Sequence, residues 1–255
     1  MALSLTWLDS NSWLIEISGQ RILLDPWLVG TLSFGIDWLI SGQRRHDRPI
    51  PPDIDLILLS QGLADHAHPP TLEQLDRAIP VVASPSAAKV VRSIGYANIT
   101  VLEPEQTFTL GSLSVQALPG SPIGPFTREN AYLLRDLNQG TSLYYEPHGH
   151  HAANLTAPID VVITPLVDQT LPLVGAIIQG DRSALDLIAQ VRPQVILPTA
   201  AGGEFEFAGM ISPLLKAVGS IEQLRSRLAD RGLNTQVIEP VPGNRIELQL
   251  TAAAS

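Results

Sequence analysis

A short apolar run that ends abruptly in a polar loop constrains the fold of this chain more than any other feature. Residues 55–59 have the pattern of a buried β-strand, and the loop after them brings Asp65 and His66 side by side. A strand end that presents an acid next to an imidazole is where a hydrolase would place metal ligands. The same loop holds Gln61 and Leu63, which are not usual ligands. The layout therefore indicates a metal loop with an incomplete ligand set.

Composition excludes several classes of function. The chain has 255 residues, 45% of them hydrophobic, so it can bury a sizeable core as one domain over residues 1–255. Its net charge of −9 argues against nucleic acid as a partner. Because it has no cysteine, disulfides, thiolate zinc sites and thiol nucleophiles are excluded. It shows neither a secretory signal nor the roughly 18 apolar residues that span a bilayer, so we expect a cytoplasmic protein without membrane contact.

Hydrophobic period and turn residues predict a β-rich chain with few helices. We expect strands at 3–8, 12–18 and 21–24, followed by an irregular connection over about 27–53. Such a connection is often a lid or a rim of a binding site, and its Trp27, Phe34 and Trp38 could line a pocket or only anchor the loop. Further strands alternate with four helices, at 70–79, from Ser84 to Ser93, at 183–191 and at 221–229. Two β-rich stretches, each followed by helices, predict sheets stacked inside helices.

The order of these segments resembles the metallo-β-lactamase fold, an α+β four-layer αββα sandwich. Its sugar-lactonase-like branch begins with a strand, a Gly-His turn, a second strand and an Ile-Leu-x-Asp-Pro-Trp segment. The corresponding stretches here are 5–8, 9–10, 12–17 and 22–27. The family's His-x-His-x-Asp-His motif falls, in order, on the positions of Gln61, Leu63, Asp65 and His66. The likeness extends over roughly residues 3–250.

A closer resemblance is to a subgroup from cyanobacteria and chloroplasts. It carries SQGLxDHAHPPTL, YYEPHG and LPTAAGG, which are found here at 60–72, 144–149 and 197–203. The family's third histidine follows Pro-Gly, where this chain has Ser121, and its last histidine follows Leu-Pro-Thr, where this chain has Ala200. Its bridging aspartate corresponds to Glu146. The resemblance thus implies one metal site at most, with no assigned substrate.

Two clusters supply the candidate metal ligands. Asp65 and His66 are the first, and Glu146 with His148 the second, so that a site could be rebuilt from partly new ligands. Oxygen and imidazole ligands suit one divalent Zn, Mn, Fe or Ni ion, which lowers the pKa of bound water. The alternative is that no metal binds, with Asp65 accepting backbone N–H bonds and His66 bonded to a carbonyl group.

Three further residues are candidates for substrate binding. Gln61 can hydrogen-bond a substrate carbonyl or phosphate. His68 can act as an acid or base beside a substrate, or make a contact at a helix start. Thr199 begins a loop of small residues whose backbone N–H groups could cradle an anion, although a Gly-Gly pair more often only permits a sharp turn.

Three functions fit these residues. The first is hydrolysis of an ester, lactone or phosphoester of a small metabolite, with Asp65 and His66 as catalytic residues. The second is a non-catalytic member of the fold that binds a small ligand or a protein in the old cleft. The third is a metal-free enzyme that uses Asp65 and His66 as an acid–base pair. The sequence leaves the oligomeric state open.

Overall fold

The computed structural model describes residues 3–123, 127–172 and 174–251. Its strands are β1 (Ser4–Trp7), β2 (Trp13–Ile17), β3 (Gln20–Leu24), β4 (Thr31–Ser33), β5 (Ser41–Arg44), β6 (Leu56–Leu59), β7 (Val81–Ala83), β8 (Ile99–Val101), β9 (Thr107–Leu110), β10 (Leu113–Pro122), β11 (Arg128–Asp136), β12 (Ser142–Tyr145), β13 (Val161–Ile163), β14 (Asp168–Leu171), β15 (Gly175–Ile178), β16 (Val195–Leu197), β17 (Phe205–Ala208), β18 (Lys216–Val218), β19 (Gln236–Val237) and β20 (Arg245–Glu247). The helices are α1 (Pro69–Leu72), α2 (Pro85–Ser93), α3 (Asp181–Val191) and α4 (Ile221–Asp230), with a 3₁₀ turn at Ser212–Leu214.

Two large sheets form the body of the described chain. The first has the order β20-β1-β2-β3-β6-β7-β8 and the second β19-β16-β13-β12-β11-β10-β9. In the first, β1, β2 and β3 are antiparallel, whereas β3, β6, β7 and β8 run parallel. Two small sheets, β17-β5-β4 and β15-β14-β18, lie apart from them.

The buried apolar side chains form three layers. Those between the two large sheets include Leu5, Ile15 and Val115. Helix α2 packs its alanines and Val91 on the outer face of the first sheet. Helices α3 and α4 cover the outer face of the second, through side chains such as Leu185, Ile188, Leu224 and Leu228. The α+β class and the four-layer αββα sandwich are therefore confirmed.

Two predicted segments differ from the structure. The helix predicted at 70–79 ends at Leu72, where the Tyr96 hydroxyl donates to the Leu72 carbonyl at 2.8 Å, and the chain continues in turns such as Leu75 N–H to Leu72 O. The stretch predicted as irregular at 27–53 contains β4 and β5, which pair with each other and with β17. The predicted helix after Ser84 is confirmed, and the Ser84 hydroxyl caps it by accepting from Ala87 N–H.

The strand ends of the two sheets meet at one edge. Asp25 follows β3, Ser60 follows the parallel strand β6, and Glu146 follows β12 of the second sheet. The loop from Ser60 runs against α2, where a Cβ on Gly62 would lie 2.8 Å from the Ser86 carbonyl group, so a side chain at that position would force the loop away. The ends of these strands thus bring together polar residues from distant parts of the sequence.

Among the described helices, none has the length and apolar character that crossing a bilayer requires.

Candidate metal centre

His66 is held from behind by a buried carboxylate. Its Nδ1 atom lies 2.7 Å from Oδ2 of Asp25, and both side chains are fully buried. The same Asp25 oxygen accepts hydrogen bonds from the Ser60 hydroxyl at 2.5 Å and the Tyr145 hydroxyl at 2.7 Å. Because Nδ1 faces a carboxylate, it carries the proton, and Nε2 is the nitrogen presented to the other side.

Asp65 lies on that other side of the ring. Its Oδ2 atom is 3.2 Å from His66 Nε2, and the side-chain amide of Asn11 lies at the same distance from Nε2. Burial acts to lower the pKa of His66, but the charges of Asp65 and Asp25 raise it well above the ordinary value. Burial acts to raise the pKa of Asp65, but the charge of His66 lowers it. Asp65 therefore remains a carboxylate.

His148 repeats the arrangement from the second sheet. Its Nδ1 atom lies 2.9 Å from both oxygens of Glu129, which is fully buried in β11. The His148 and His66 rings are 5.3 Å apart between centroids. Burial, and then the charge of His66, lowers the pKa of His148, so its imidazole is neutral. Burial raises the pKa of Glu129 to about 7.

Asp65, His66 and His148 together fit one divalent cation. Each offers a donor atom, and the three atoms lie within 4.8 Å of one another. The second oxygen of Asp65, Oδ1, is buried and has no hydrogen-bond partner among the described residues. One carboxylate and two imidazoles, each imidazole fixed through Nδ1 by a second carboxylate, match the donor set and outer support of Zn, Mn, Fe or Ni sites.

Glu146 lies beside His148 rather than beside Asp65 and His66. Its Oε2 atom accepts from the backbone N–H groups of His148 at 3.1 Å, Gly149, and His150 at 3.0 Å. Glu146, Glu129 and His148 form a second group of converging donor atoms. Burial, followed by the charge of Glu129, raises the pKa of Glu146 well above its usual range. In the structure this carboxyl group fixes the turn that carries His148.

A tight approach at Gly149 fixes the same turn. Gly149 has φ of +86°, and a Cβ there would lie 1.5 Å from the Gln179 carbonyl oxygen. Gln179 N–H in turn donates to the His148 carbonyl at 2.9 Å. The turn can therefore reach its position only with glycine, and His148 is placed by backbone as well as by Glu129.

The three predicted substrate-binding residues have protein partners. Gln61 is buried and donates through Nε2 to Glu129 at 3.0 Å. His68 lies 3.0 Å from the Thr71 hydroxyl through Nδ1 and 3.2 Å from the Thr31 carbonyl through Nε2. The Thr199 hydroxyl donates to the Ser10 carbonyl at 3.1 Å. All three are less than 2% exposed.

A cavity opens directly above Asp65 and His148. Its volume is about 370 Å³, and Gln61, His68 and Thr199 are not among the described residues that line it. Phe34, from the segment predicted as the rim of a binding site, lines it. The remaining walls are formed by Ile40, Leu63, Gln169, Leu171, Ile177, Ile178, Phe207, Ile211 and Leu215.

Asp25 and Glu129 are site residues that the sequence did not single out. Asp25 lies in the Asp-Pro-Trp segment, directly after a strand parallel to the one before Asp65, and that position is a usable signal. Glu129 stands at the start of β11 with no motif around it. It contacts Gln61, 68 positions away in the sequence, so only the folded sheet reveals it.

Several solved structures share this fold. An isothiocyanate hydrolase from Delia radicum gut bacteria has a TM-score of 0.67 and 16% identity, covering 96% of this chain and 98% of its own. Igni18, a metallo hydrolase from Ignicoccus hospitalis, has a TM-score of 0.66 and 15% identity, and the match covers 98% of this chain and 100% of Igni18. CmlA, a diiron beta-hydroxylase from Streptomyces venezuelae, has a TM-score of 0.66 and 16% identity. That match covers 97% of this chain and 54% of CmlA, so this chain spans about half of CmlA. At these identities the likeness shows the fold.

No sequence among the curated proteins matches this chain. The family model described as the Beta-lactamase superfamily domain matches residues 4–200, which is more than half of the chain. This chain therefore belongs to the beta-lactamase superfamily, and its fold is the metallo-β-lactamase fold.

Proposed function

We propose that this protein is a metal-dependent hydrolase of an ester, lactone or phosphoester of a small metabolite. Asp65, His66 and His148 would hold one ion, and two of them, Asp65 and His148, line the cavity. The observation that carries the proposal is the pair of buried carboxylates, Asp25 and Glu129, each bonded to Nδ1 of a histidine that converges with Asp65. Two such supports for one donor group are typical of a metal centre.

The residues of the chain divide the work. A bound ion would polarise the substrate carbonyl or phosphoryl oxygen and lower the pKa of water towards neutrality. Asp25 and Glu129 keep a proton on each Nδ1 atom, so Nε2 is the ligand atom of both histidines. His66, whose pKa is raised, would release its second proton when an ion binds. Asp65, ionised beside His66, supplies the negative charge and can take up a proton from an attacking water through its free oxygen. The apolar walls exclude bulk water and strengthen these interactions.

Relatives in fold support hydrolysis. Two of the proteins named above are a hydrolase and a metallo hydrolase. CmlA is a diiron beta-hydroxylase, so proteins of this fold also carry out oxidative chemistry. Membership of the sugar-lactonase-like branch and of the cyanobacterial and chloroplast subgroup, a single domain over 1–255 and a cytoplasmic location remain predictions from the sequence.

Metal content and hydrolysis, measured together, test the proposal. Protein purified without chelator is analysed for Zn, Mn, Fe and Ni, and then assayed on p-nitrophenyl esters, lactones and p-nitrophenyl phosphate. We expect one ion per chain and metal-dependent turnover, both lost in Asp65→Asn and His148→Gln. Asp186→Asn is the control, because that side chain is 61% exposed on α3.

Two results would replace the proposal with one of the other functions. Metal-free protein that binds a small ligand without turning it over would identify a binding member of the fold. Turnover that survives chelation but disappears in Asp65→Asn and His66→Gln would identify a metal-free acid–base pair.

A further inference from the structure

We infer that the substrate is an uncharged carboxylic ester or lactone with an apolar chain or ring, and that its apolar part lies in the cavity above Asp65. The inference rests on the proposed function and narrows it. It excludes sugars and substrates that carry a charged group in the part enclosed by the apolar walls. The walls of the cavity, the size of the cavity and the surface around its mouth support it separately.

The cavity walls are almost entirely hydrocarbon. Nine of the lining side chains are aliphatic or aromatic. Eight come from the two small sheets and the segments beside them, and the ninth, Leu63, comes from the loop after β6. The polar exceptions are Asp65 and His148 at the floor, together with Gln169 on β14. One amide satisfies few of the hydroxyl groups of a sugar, and each hydroxyl left without a partner opposes binding.

The cavity walls offer no partner for an anionic group. Of the described residues that line the cavity, none is Lys or Arg. A phosphate or carboxylate group held in a protein is normally paired with a cationic side chain or with several backbone N–H groups. An anionic group buried among the apolar walls, away from the proposed metal ligands, would lose its hydration without such a partner.

Leu63 brings apolar surface next to the proposed metal ligands. It stands two residues before Asp65, its side chain lines the cavity, and it is 44% exposed. The loop that carries Asp65 therefore also contributes a hydrophobic contact at the place where a substrate would lie.

The size of the cavity indicates the length of the apolar part. About 370 Å³ accommodates on the order of twelve non-hydrogen atoms, at the roughly 30 Å³ that a water molecule occupies in the liquid. An ester group with a chain of about eight carbons fills that space. Burial of each methylene strengthens binding about fourfold until the cavity is full.

Apolar surface continues outside the cavity. Phe34 and Ile177 line the walls and are 37% and 40% exposed. Trp38 and Met210, which are 69% and 62% exposed, stand within two residues of the lining residues Ile40 and Ile211. A hydrogen bond from Met210 N–H to the Trp38 carbonyl, at 3.0 Å, joins their two segments. Exposed apolar residues contiguous with a cavity mark a binding surface. A chain longer than the cavity would rest its far end here.

A series of methyl ketones tests the inference without requiring turnover. Methyl ketones resemble methyl esters in shape but cannot be hydrolysed, and binding is measured by calorimetry with and without chelator. From 2-pentanone to 2-tridecanone, we expect Kd to fall about fourfold per methylene and then to level off near 2-undecanone, whose size matches the roughly twelve non-hydrogen atoms that the cavity holds. In the chelator-treated protein, octanoate, of similar length but anionic, should bind at least 100-fold more weakly than 2-nonanone. Equal affinity along the series, or octanoate binding as well as the ketone, would overturn the inference.

A variant that introduces a positive charge into the cavity wall supplies the matched comparison. Ile177→Lys places a cation at a partly exposed lining position, so 2-nonanone should lose at least tenfold in affinity and octanoate should gain. Leu137→Lys is the control, because Leu137 is 60% exposed and does not line the cavity.

If the ketone series behaves as expected but no metal or hydrolysis is found, the proposed function fails while the ligand class stands. If short polar esters are hydrolysed as well as long ones, the ligand class fails while the hydrolase stands.

Discussion

Oδ2 of Asp25 lies 2.7 Å from Nδ1 of His66, in a place where neither side chain is exposed to solvent. An isolated buried carboxylate is costly, but this one accepts four polar contacts from Ser60, Tyr145 and His66. The result is a histidine whose tautomer and orientation are fixed before any ligand arrives. Glu129 does the same for His148 from the other sheet.

The Asp25→Asn variant should weaken metal binding without abolishing it. The amide preserves the shape but removes the charge that fixes the Nδ1 proton of His66, and loss of such outer support typically costs 10- to 100-fold in affinity. Competition with a chromophoric chelator for Zn²⁺ or Mn²⁺ measures the change. Asp186→Asn, exposed on α3, should bind as the unaltered chain does. Unchanged affinity in Asp25→Asn would mean that His66 is not a ligand.

The Gly149→Ala variant should lose stability and should also disturb the site. A Cβ there would lie 1.5 Å from a backbone oxygen, so the turn that carries His148 must shift, at a cost of about 3 kcal/mol or more in the free energy of unfolding. Gly140→Ala is the matched control, since Gly140 also has positive φ, +76°, but has no atom within 4 Å of the added Cβ. It should lose only about 1 kcal/mol. Urea unfolding of both variants gives the comparison, and equal losses would refute it.

A buried ion cluster anchors the first turn to the β5 segment. Asp9 is fully buried and pairs with Arg44, whose side chain is 1% exposed, and with Arg48 Nε at 2.9 Å. Asp9→Ala leaves a buried guanidinium without its partner and should destabilise the fold by about 3–5 kcal/mol. Glu206→Gln breaks the exposed pair with Arg45 and should cost less than about 1 kcal/mol. Chemical denaturation separates the two, and a small loss in Asp9→Ala would show that solvent reaches Arg44.

His151 should make stability depend on pH. Burial lowers the pKa of His151 to about 4, and neither ring nitrogen has a partner among the described residues. The unfolded chain takes up this proton near pH 6.5 and the folded chain only near pH 4. The contribution of His151 to the free energy of unfolding is therefore fully present above pH 6.5. It is lost, by roughly 3 kcal/mol in all, as the pH drops from 6.5 to 4, and it does not change further below pH 4.

His151→Phe tests this dependence. The ring keeps its edge contact with Tyr144, whose centroid lies 5.9 Å away, and loses the titration. The slope of unfolding free energy between pH 4 and 6.5 should flatten in this variant. His46→Gln, at an exposed position, should leave the slope as it is in the unaltered chain. An identical slope in all three proteins would assign the pH dependence to other groups.

Sequence patterns predicted the large sheets because their strands are short, apolar and bounded by turn residues. Asp65 and His66 were found for the same reason, since a buried strand such as β6 points its end residues at the sheet edge. The small sheets gave no such signal. Strands such as β4 and β17 have three or four residues, and Leu32 is the one buried side chain in these two strands, so any alternation is too short to recognise in the sequence. The cavity walls they form could not be read from the chain.

The ligand set shows a similar division. Glu146 was predicted among the ligands because its position corresponds to an acid in the family, whereas the structure turns one of its oxygens towards the backbone of its own loop. The orientation of Glu146 depends on three consecutive backbone N–H groups that point towards its carboxyl group, and the sequence does not reveal their direction. Glu129 depends on the pairing of β10 with β11, which brings it beside Ser121 N–H at 3.2 Å.

The position of a bound ion is the most direct test. A crystal grown with Zn²⁺ is measured at the zinc absorption edge, and the anomalous difference map is calculated. We predict one peak per chain, about 2.0–2.2 Å from a carboxylate oxygen of Asp65 and from Nε2 of both His66 and His148. A map with no peak at these three residues, or with an ion held by Glu129 and Glu146 and not by Asp65, would contradict the proposed centre.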